Sequence, residues 1–150
     1  KYISRGGLMK NYMKMEFSAR LENVTFARGV ISSFLLNNDL TLNAINEIKT
    51  IVSEAVTNAI LHGYQNNPVK LVDMEVEIEG NKLIIIVHDD GIGIDDVEKA
   101  REPLFTTKLR EERAGLGFTI MDVFSDEMEV ISAPNEGTTV ICTKYLENVQ

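Results

Sequence analysis

A long amphipathic segment from Ile45 to Gly63 places the strongest constraint on how this chain can fold. Apolar residues recur along it at helical spacing and form one stripe, which consists of Ile48, Val52, Ala55, Val56, Ala59 and Ile60. Thr41 is a candidate N-cap before the segment, and Gly63 stands where a helix commonly ends. The pattern predicts the longest helix of the chain, with an apolar stripe that another layer must cover.

Polar residues form a second face on the same segment. Glu54, Asn58 and His62 follow one another at a spacing of four, so a helix would stack them on one side. A carboxylate one turn from a carboxamide can hold a proton and a hard cation side by side. A solvated helix surface has the same spacing, so the interpretation depends on the rest of the chain.

The remaining periodicities predict how the other elements are arranged. Segments with a period of two or a continuous apolar run predict strands at 11–19, 72–79, 83–87, 128–132 and 138–144. Helices are predicted at 23–36, 95–101 and from 115 onward. The acidic residues that alternate along 72–79 are expected on a solvated sheet face. This segregated order predicts an α+β fold, a two-layer sandwich in which helices cover one face of a mixed, mostly antiparallel sheet.

Composition limits the chain to one ordinary domain. With 150 residues and a net charge of −8, it is unsuited to nonspecific binding of nucleic acid or of an anionic membrane. The single Cys142 lies in an apolar run, which is typical of a buried residue in a reducing compartment. We expect residues 1–8 to be upstream or vector-derived sequence, residues 9–150 to form the domain, and the protein to be cytoplasmic.

Two glycine motifs flank a segment without clear periodicity. Asp89-x-Gly91-x-Gly93 follows the apolar strand, and Gly115-x-Gly117 precedes a helix whose N-terminus would suit phosphate. The polar, basic stretch 104–114 between them is expected to be a long loop of the kind that covers a ligand. The chain lacks the P-loop motif and the motifs of ordinary protein kinases.

The order of these motifs resembles the ATP-binding superfamily of gyrase, the heat-shock chaperone, histidine kinases and MutL, known as GHKL. The motifs are Glu54-x-x-x-Asn58, Asp89-x-Gly91-x-Gly93, Phe105-Thr106-Thr107-Lys108, Gly115-x-Gly117 and Gly137-Thr138-Thr139. Within the superfamily, the segments 17–20, 26–28, 53–60, 103–108 and 117–121 resemble the anti-sigma-F factors of sporulating bacteria. The resemblance covers essentially all of the domain.

This resemblance implies a serine protein kinase that also sequesters sporulation sigma factor F. It implies ATP or ADP and Mg²⁺ as cofactors, a homodimer as the binding form, and a small anti-anti-sigma factor that is phosphorylated on serine as substrate. Direct contact with nucleic acid or with a membrane is not implied.

The resemblance also implies roles for individual residues. Asn58 would hold Mg²⁺, Glu54 would orient or deprotonate the serine hydroxyl, and Asp89 would accept a hydrogen bond from the adenine amine. The other implied nucleotide contacts are Gly91, Gly93 and Thr138, with Thr106, Thr107, Lys108, Gly115 and Gly117 in the covering lid.

Three assignments are less fixed by the resemblance. Arg113 is preferred to Lys108 for neutralising the γ-phosphate, because it stands just before the glycine pair. His62 could face the phosphates or stabilise the helix C-terminus through its charge. Arg28 is a candidate contact to sigma or to the substrate protein, although a lone helical arginine is often only solvated.

Other functions remain as alternatives. The catalytic domain of a histidine kinase would need a phosphoacceptor histidine, which would have to lie on another molecule. A nucleotide-gated sigma-binding module without kinase activity would have no need of Glu54 as a base. A DNA-dependent ATPase is disfavoured by the acidic charge balance and by the lack of a transducer domain.

Overall fold

The computed structural model describes residues 10–102 and 109–147, and only the backbone of 109–115. The strands are β1 (Lys10–Ser18), β2 (Leu71–Glu79), β3 (Lys82–Asp89), β4 (Glu127–Ser132) and β5 (Thr138–Tyr145). The helices are α1 (Glu22–Phe34), α2 (Leu42–Asn58), α3 (Val97–Arg101) and α4 (Leu109–Phe124), and a π-helical turn (Ala59–Gly63) continues α2. None of the helices in these described ranges is long and apolar enough to cross a membrane.

The five strands form one sheet in the order β1-β2-β3-β5-β4. Each neighbouring pair in it is antiparallel. In the helical layer, α1 and α4 pack against α2, and α3 packs against α4. A single apolar core draws side chains from both the helices and the sheet. The predicted α+β sandwich is therefore confirmed, with a sheet that is antiparallel throughout the described residues.

The two faces of β2 differ as the alternation predicts, with one exception. Val72, Met74 and Val76 are fully buried in the core. Glu77 belongs to the set expected on the solvated face, yet it is only 3% exposed. Its Oε1 lies 3.0 Å from Nζ of Lys10 on the neighbouring strand. A buried carboxylate requires such a partner, which the pattern of one strand cannot reveal.

The helix that carries the polar face begins as predicted but ends differently. The hydroxyl of Thr41 accepts a hydrogen bond from the Ala44 amide at 3.0 Å, which confirms the N-cap. A single α-helix through His62 is wrong, because α2 ends at Asn58 and continues as the π-helical turn. The left-handed backbone that ends it lies at Gln65 and Asn66, with φ of 51° and 63°. The helical segment as a whole still ends at Gly63, as the sequence predicts.

The helix α4 begins at Leu109, six residues earlier than the sequence pattern predicts. Residues 109–114 lack an apolar period but consist of leucine, arginine, glutamate and alanine, which all favour helix strongly. The predicted loop 104–114 is therefore wrong from 109 onward, and 103–108 lie outside the described residues. Gly115 and Gly117 lie within α4, so they do not offer the free amides of a helix N-terminus.

The expectation that Cys142 is a buried small apolar residue is confirmed. Its side chain is 2% exposed and forms no disulfide. Burial raises the pKa of the thiol to about 11. The thiol is therefore protonated at neutral pH and chemically inert.

Candidate functional site

A cavity of about 350 Å³ lies between the C-terminal half of α2, the π-helical turn, and the ends of β3 and β5. Apolar groups from α2, β3, β5, α3 and α4 supply much of its wall, including Ala55, Val87, Val140, Ala100 and Phe118. The polar side chains that reach it are those of Asn58, His62, Gln65, Asp89 and Thr138. A cavity of this size with a few polar groups is typical of a small-molecule site.

The side chains of Glu54 and Asn58 meet beside Gly117 of α4. A Cβ atom at Gly117 would lie 3.0 Å from Asn58 Nδ2 and 3.2 Å from Glu54 Oε2. The glycine therefore lets α4 approach the polar face of α2 more closely than a larger residue could. Asn58 Nδ2 is buried and has no hydrogen-bond partner among the described residues. A buried amide that lacks a partner at a cavity wall is a candidate ligand contact.

Asp89 ends β3, also lines the cavity, and is only 4% exposed. Its Oδ1 accepts a hydrogen bond from the Gly91 amide at 2.9 Å. Loss of solvation raises the pKa of the carboxyl group to about 6, while the Gly91 bond and the nearby His88 oppose this shift. Asp89 is therefore a preformed acceptor that is ionised at neutral pH and poorly solvated.

The glycines after Asp89 permit close backbone contacts. A Cβ atom at Gly91 would overlap the carbonyl group of Gly63. Gly93 has a φ of 74°, and a Cβ atom there would overlap the carbonyl group of Ala133. Both positions therefore need glycine, and the loop that they form supplies one wall of the cavity.

Thr138 lies opposite Asp89 in the register of β5 and β3 and is 8% exposed. Its hydroxyl lies 2.9 Å from the hydroxyl of Ser132. Ser132 also donates to the Gly137 carbonyl and accepts from the Ile94 amide, both at 2.8 Å. Ser132 thus ties Thr138 to the loop after β3. The sequence carries no signal for this role, because a serine in a strand has many uses.

Tyr64 is a second residue that sequence reasoning missed. Its hydroxyl accepts a hydrogen bond from the Asp90 amide at 2.7 Å and donates one to the Leu71 carbonyl at 2.6 Å. The position directly after the polar helical face is the only signal that could have indicated it. Tyr64 thus joins the end of the π-helical turn to the loop that follows Asp89.

The structure places His62 and Arg28 in different surroundings. His62 lies on the π-helical turn at the cavity wall. Arg28, which is half-buried on α1, turns its guanidinium toward α2 and donates to Ser53 Oγ and to the Lys49 carbonyl. These bonds hold its side chain against Ser53, the residue before Glu54, so Arg28 is not merely solvated.

Part of the predicted lid cannot be placed. Thr106, Thr107 and Lys108 lie outside the described residues. Arg113 and Gly115 lie in α4, where the backbone alone is described. The roles of these residues stay predictions.

The side chains at the cavity fit the small set of protein ligands that Mg²⁺ takes beside a nucleotide. Across 10–102 and 116–147, no group of three or more histidine, cysteine, aspartate or glutamate side chains is placed to hold a metal. Mg²⁺ commonly takes one or two protein ligands and completes its shell with phosphates and water. The amide of Asn58, with Glu54 beside it, provides such a partial set next to a cavity that the buried acceptor Asp89 also lines.

Comparison with known proteins defines the class to which this fold and site belong. The sequence model of the histidine kinase-like ATPase domain matches residues 17–144. Two solved structures share the fold. The RsbU and RsbW domains of a Mycobacterium tuberculosis protein give a TM-score of 0.63, at 17% identity, over 91% of this chain and 32% of that one. The Acinetobacter baumannii histidine kinase AdeS gives a TM-score of 0.52, at 13% identity, over 92% of this chain and 68% of that one.

Curated relatives narrow the class further. The anti-sigma F factor of Geobacillus kaustophilus is 51% identical over 138 residues, which cover 92% of this chain and 94% of that protein. The anti-sigma F factor of Thermoanaerobacter sp. is 51% identical over 136 residues, which cover 91% of this chain and 94% of that protein. The chain belongs to the histidine kinase-like ATPase family and, within it, to the group of anti-sigma F factors.

Proposed function

We propose that the chain is a nucleotide-dependent anti-sigma factor that also acts as a serine protein kinase. It binds ATP or ADP with Mg²⁺, sequesters sigma factor F, and phosphorylates a serine of an anti-anti-sigma factor. The observation that carries the proposal is that Glu54 and Asn58 both border Gly117, beside a cavity that the buried Asp89 also lines.

The base of the nucleotide occupies the Asp89 end of the cavity. The ionised carboxylate accepts a hydrogen bond from the exocyclic amine of adenine, with Thr138 on the adjacent strand supporting the same edge. Apolar residues such as Val87 and Val140 in the wall contact the ring faces. The free acceptor capacity of a buried carboxylate favours a base that donates a hydrogen bond.

The phosphates lie toward α2 and α4. The side-chain oxygen of Asn58 would hold Mg²⁺, which would supply charge neutralisation at the phosphates. Arg113, or Lys108 in its place, neutralises charge at the γ-phosphate. Gly117 leaves room for these groups, because it brings no side chain against Asn58.

Glu54 orients the substrate serine and accepts its proton. The serine oxygen forms a bond to the γ-phosphorus as the bond from that phosphorus to the bridging oxygen of ADP breaks. The proton of the hydroxyl passes to the Glu54 carboxylate, and ADP leaves with the bridging oxygen. The protein performs little covalent work, so the rate depends on how well these groups are positioned.

The protein partners bind near the same face. Arg28 contacts sigma or the substrate protein from α1, and the functional form is a homodimer. Support for this placement comes from the hydrogen bonds that hold Arg28 against Ser53, the residue before Glu54.

A phosphate-transfer assay tests the proposal. The chain is incubated with Mg²⁺, γ-labelled ATP and an anti-anti-sigma protein, and sigma factor capture is measured in parallel. We expect label on a serine of the partner, and capture of sigma in the presence of nucleotide. Glu54→Gln should lower transfer at least about 100-fold, since positioned proton transfer contributes that much, while leaving ATP binding within about twofold.

A matched control separates chemistry from folding. The control is Glu47→Gln, two turns earlier on α2. Glu47 does not line the cavity, and its Oε2 lies 3.4 Å from Nζ of Lys144. This variant should transfer phosphate at nearly the normal rate. Phosphohistidine, or ATP hydrolysis without a labelled protein, would contradict the kinase proposal, and failure to capture sigma with either ATP or ADP would contradict the sequestration proposal.

A further inference from the structure

The hydroxyl of Tyr64 joins three parts of the fold at one point. It accepts from the amide of Asp90, which follows β3, and donates to the carbonyl of Leu71, the first residue of β2. Tyr64 itself directly follows the π-helical turn. The hydroxyl donates its hydrogen to the Leu71 carbonyl and accepts from the Asp90 amide with a lone pair, so both bonds can form at once.

Tyr64 is itself held firmly. Its side chain is 7% exposed, and its amide donates to the Ala59 carbonyl at 2.9 Å through the π-helical turn. Burial raises the pKa of the phenol, so the hydroxyl keeps its proton and remains a donor at physiological pH. The Gly63 carbonyl, one residue earlier, accepts from the Ile92 amide at 2.9 Å. Two adjacent residues thus fix the loop on either side of Gly91.

These bonds bear directly on Asp89. The Asp90 amide belongs to the peptide unit that follows Asp89, so holding it fixes the backbone from which the carboxylate projects. On the other side, a Cβ atom at Gly63 would lie only 2.5 Å from Asp89 Oδ1, so the turn also borders the carboxylate. A shift of the Tyr64 hydroxyl would therefore be transmitted to the acceptor through a single peptide unit.

We infer that Tyr64 is a positioning residue that fixes the direction of the Asp89 carboxylate and thereby sets the preference of the site for purines that carry an exocyclic amine. The inference rests on the proposed contact between Asp89 and the adenine amine. The residue does not touch the nucleotide, and it acts through the Asp90 peptide. Loss of its hydroxyl weakens recognition of the amine while leaving contacts with the phosphates unchanged.

The test compares two nucleotides on the full chain. Affinities for ATP and for purine riboside triphosphate, which is ATP without the exocyclic amine, are measured by calorimetric titration. Tyr64→Phe should weaken ATP binding about tenfold, which is the effect of one misplaced buried hydrogen bond. Binding of purine riboside triphosphate should change less than about twofold, so the ratio of the two affinities collapses.

The outcomes separate this inference from the proposed function. Equal weakening for both nucleotides would mean a merely structural role and overturn the inference. A normal chain that binds both nucleotides equally well would overturn the proposed Asp89 contact, on which the inference depends. Tyr12→Phe is the matched control, because the Tyr12 hydroxyl bonds to Glu75 on the exposed sheet surface at 2.6 Å. It should keep the normal ratio.

A second variant gives the same readout without touching the hydroxyl. Gly63→Ala places a methyl group against the Asp89 carboxylate and should also reduce the ATP preference. Thermal unfolding is recorded for each variant. A folded Gly63→Ala chain that keeps the normal ratio would overturn the link between the helix end and the base preference.

Discussion

Asp89 is the residue in which stability and binding conflict most clearly. Its carboxylate is buried at the end of β3 and accepts a hydrogen bond from the Gly91 amide. Among the described residues, no cationic side chain forms a hydrogen bond with it. Burial disfavours the ionised form, and the Gly91 amide and the nearby His88 offset this only in part. A site that needs an unsolvated acceptor for a ligand therefore carries a stability cost when the ligand is absent.

The raised pKa of Asp89 gives a pH-dependent prediction. The pKa rises from 3.8 in the unfolded chain to about 6 in the folded one. The contribution of this group to the free energy of unfolding is therefore highest below pH 3.8 and falls by about 3 kcal/mol as the pH rises through 6. Asp89→Asn abolishes this dependence, so the variant should be more stable than the normal chain at pH 8.

Urea unfolding without nucleotide at pH 5 and pH 8 measures this effect. The stability advantage of Asp89→Asn should be clearly larger at pH 8 than at pH 5, while ATP binding is lost. An advantage of equal size at both pH values would show that burial does not disfavour the Asp89 charge.

At the scale of elements, α2 and α4 are organised around one close approach. Gly117 allows α4 to lie against Glu54 and Asn58, whereas Gly29 of α1 faces open space. Glycine within a helix is less stable than alanine because it loses more backbone entropy on folding. Gly117 is therefore needed for a helix contact, whereas no contact requires a glycine at position 29.

Replacing Gly29 and Gly117 in turn with alanine tests this difference. Gly29→Ala should raise the free energy of unfolding by about 0.5–1 kcal/mol, because the added methyl group meets no atom within 4 Å. Gly117→Ala should gain less or lose stability, and should weaken binding of ATP with Mg²⁺. Urea unfolding and ATP titration of both variants check this. Equal gains in stability with unchanged ATP affinity would contradict the account of the helix contact.

Local periodicity is sufficient to predict which helices and strands form, but not where each of them begins and ends. The Thr41 cap and the strand alternation depend on neighbouring residues, so the sequence could indicate them. The start of α4 depends on helix propensity without an apolar stripe, and the π-helical turn depends on contacts of Gly63 with the distant Asp89 loop. Tertiary contacts of this kind leave no periodic signal.

At the scale of the whole molecule, the order of strands in the sheet brings the ends of β3 and β5 together at the cavity. The motifs indicated Asn58 and Asp89, and the structure places both at one cavity. β3 pairs with β5 so that Thr138 lies opposite Asp89. Tyr64 and Asp90 are 26 positions apart in sequence, and Lys10 and Glu77 lie on neighbouring strands. These partners could not be predicted, because each contact depends on how distant elements pack and not on a local pattern.

The central claim is that the polar face of α2 forms the metal and phosphate end of a nucleotide site. Titration of ATP with and without Mg²⁺ tests it most directly, using Asn58→Ala and the control Asn46→Ala, an exposed position on the same helix. We predict that Mg²⁺ strengthens ATP binding to the normal chain and to Asn46→Ala. Asn58→Ala should lose at least about tenfold of that enhancement, as expected for a group that holds the metal. An Asn58→Ala chain that retains the full Mg²⁺ enhancement would contradict the account.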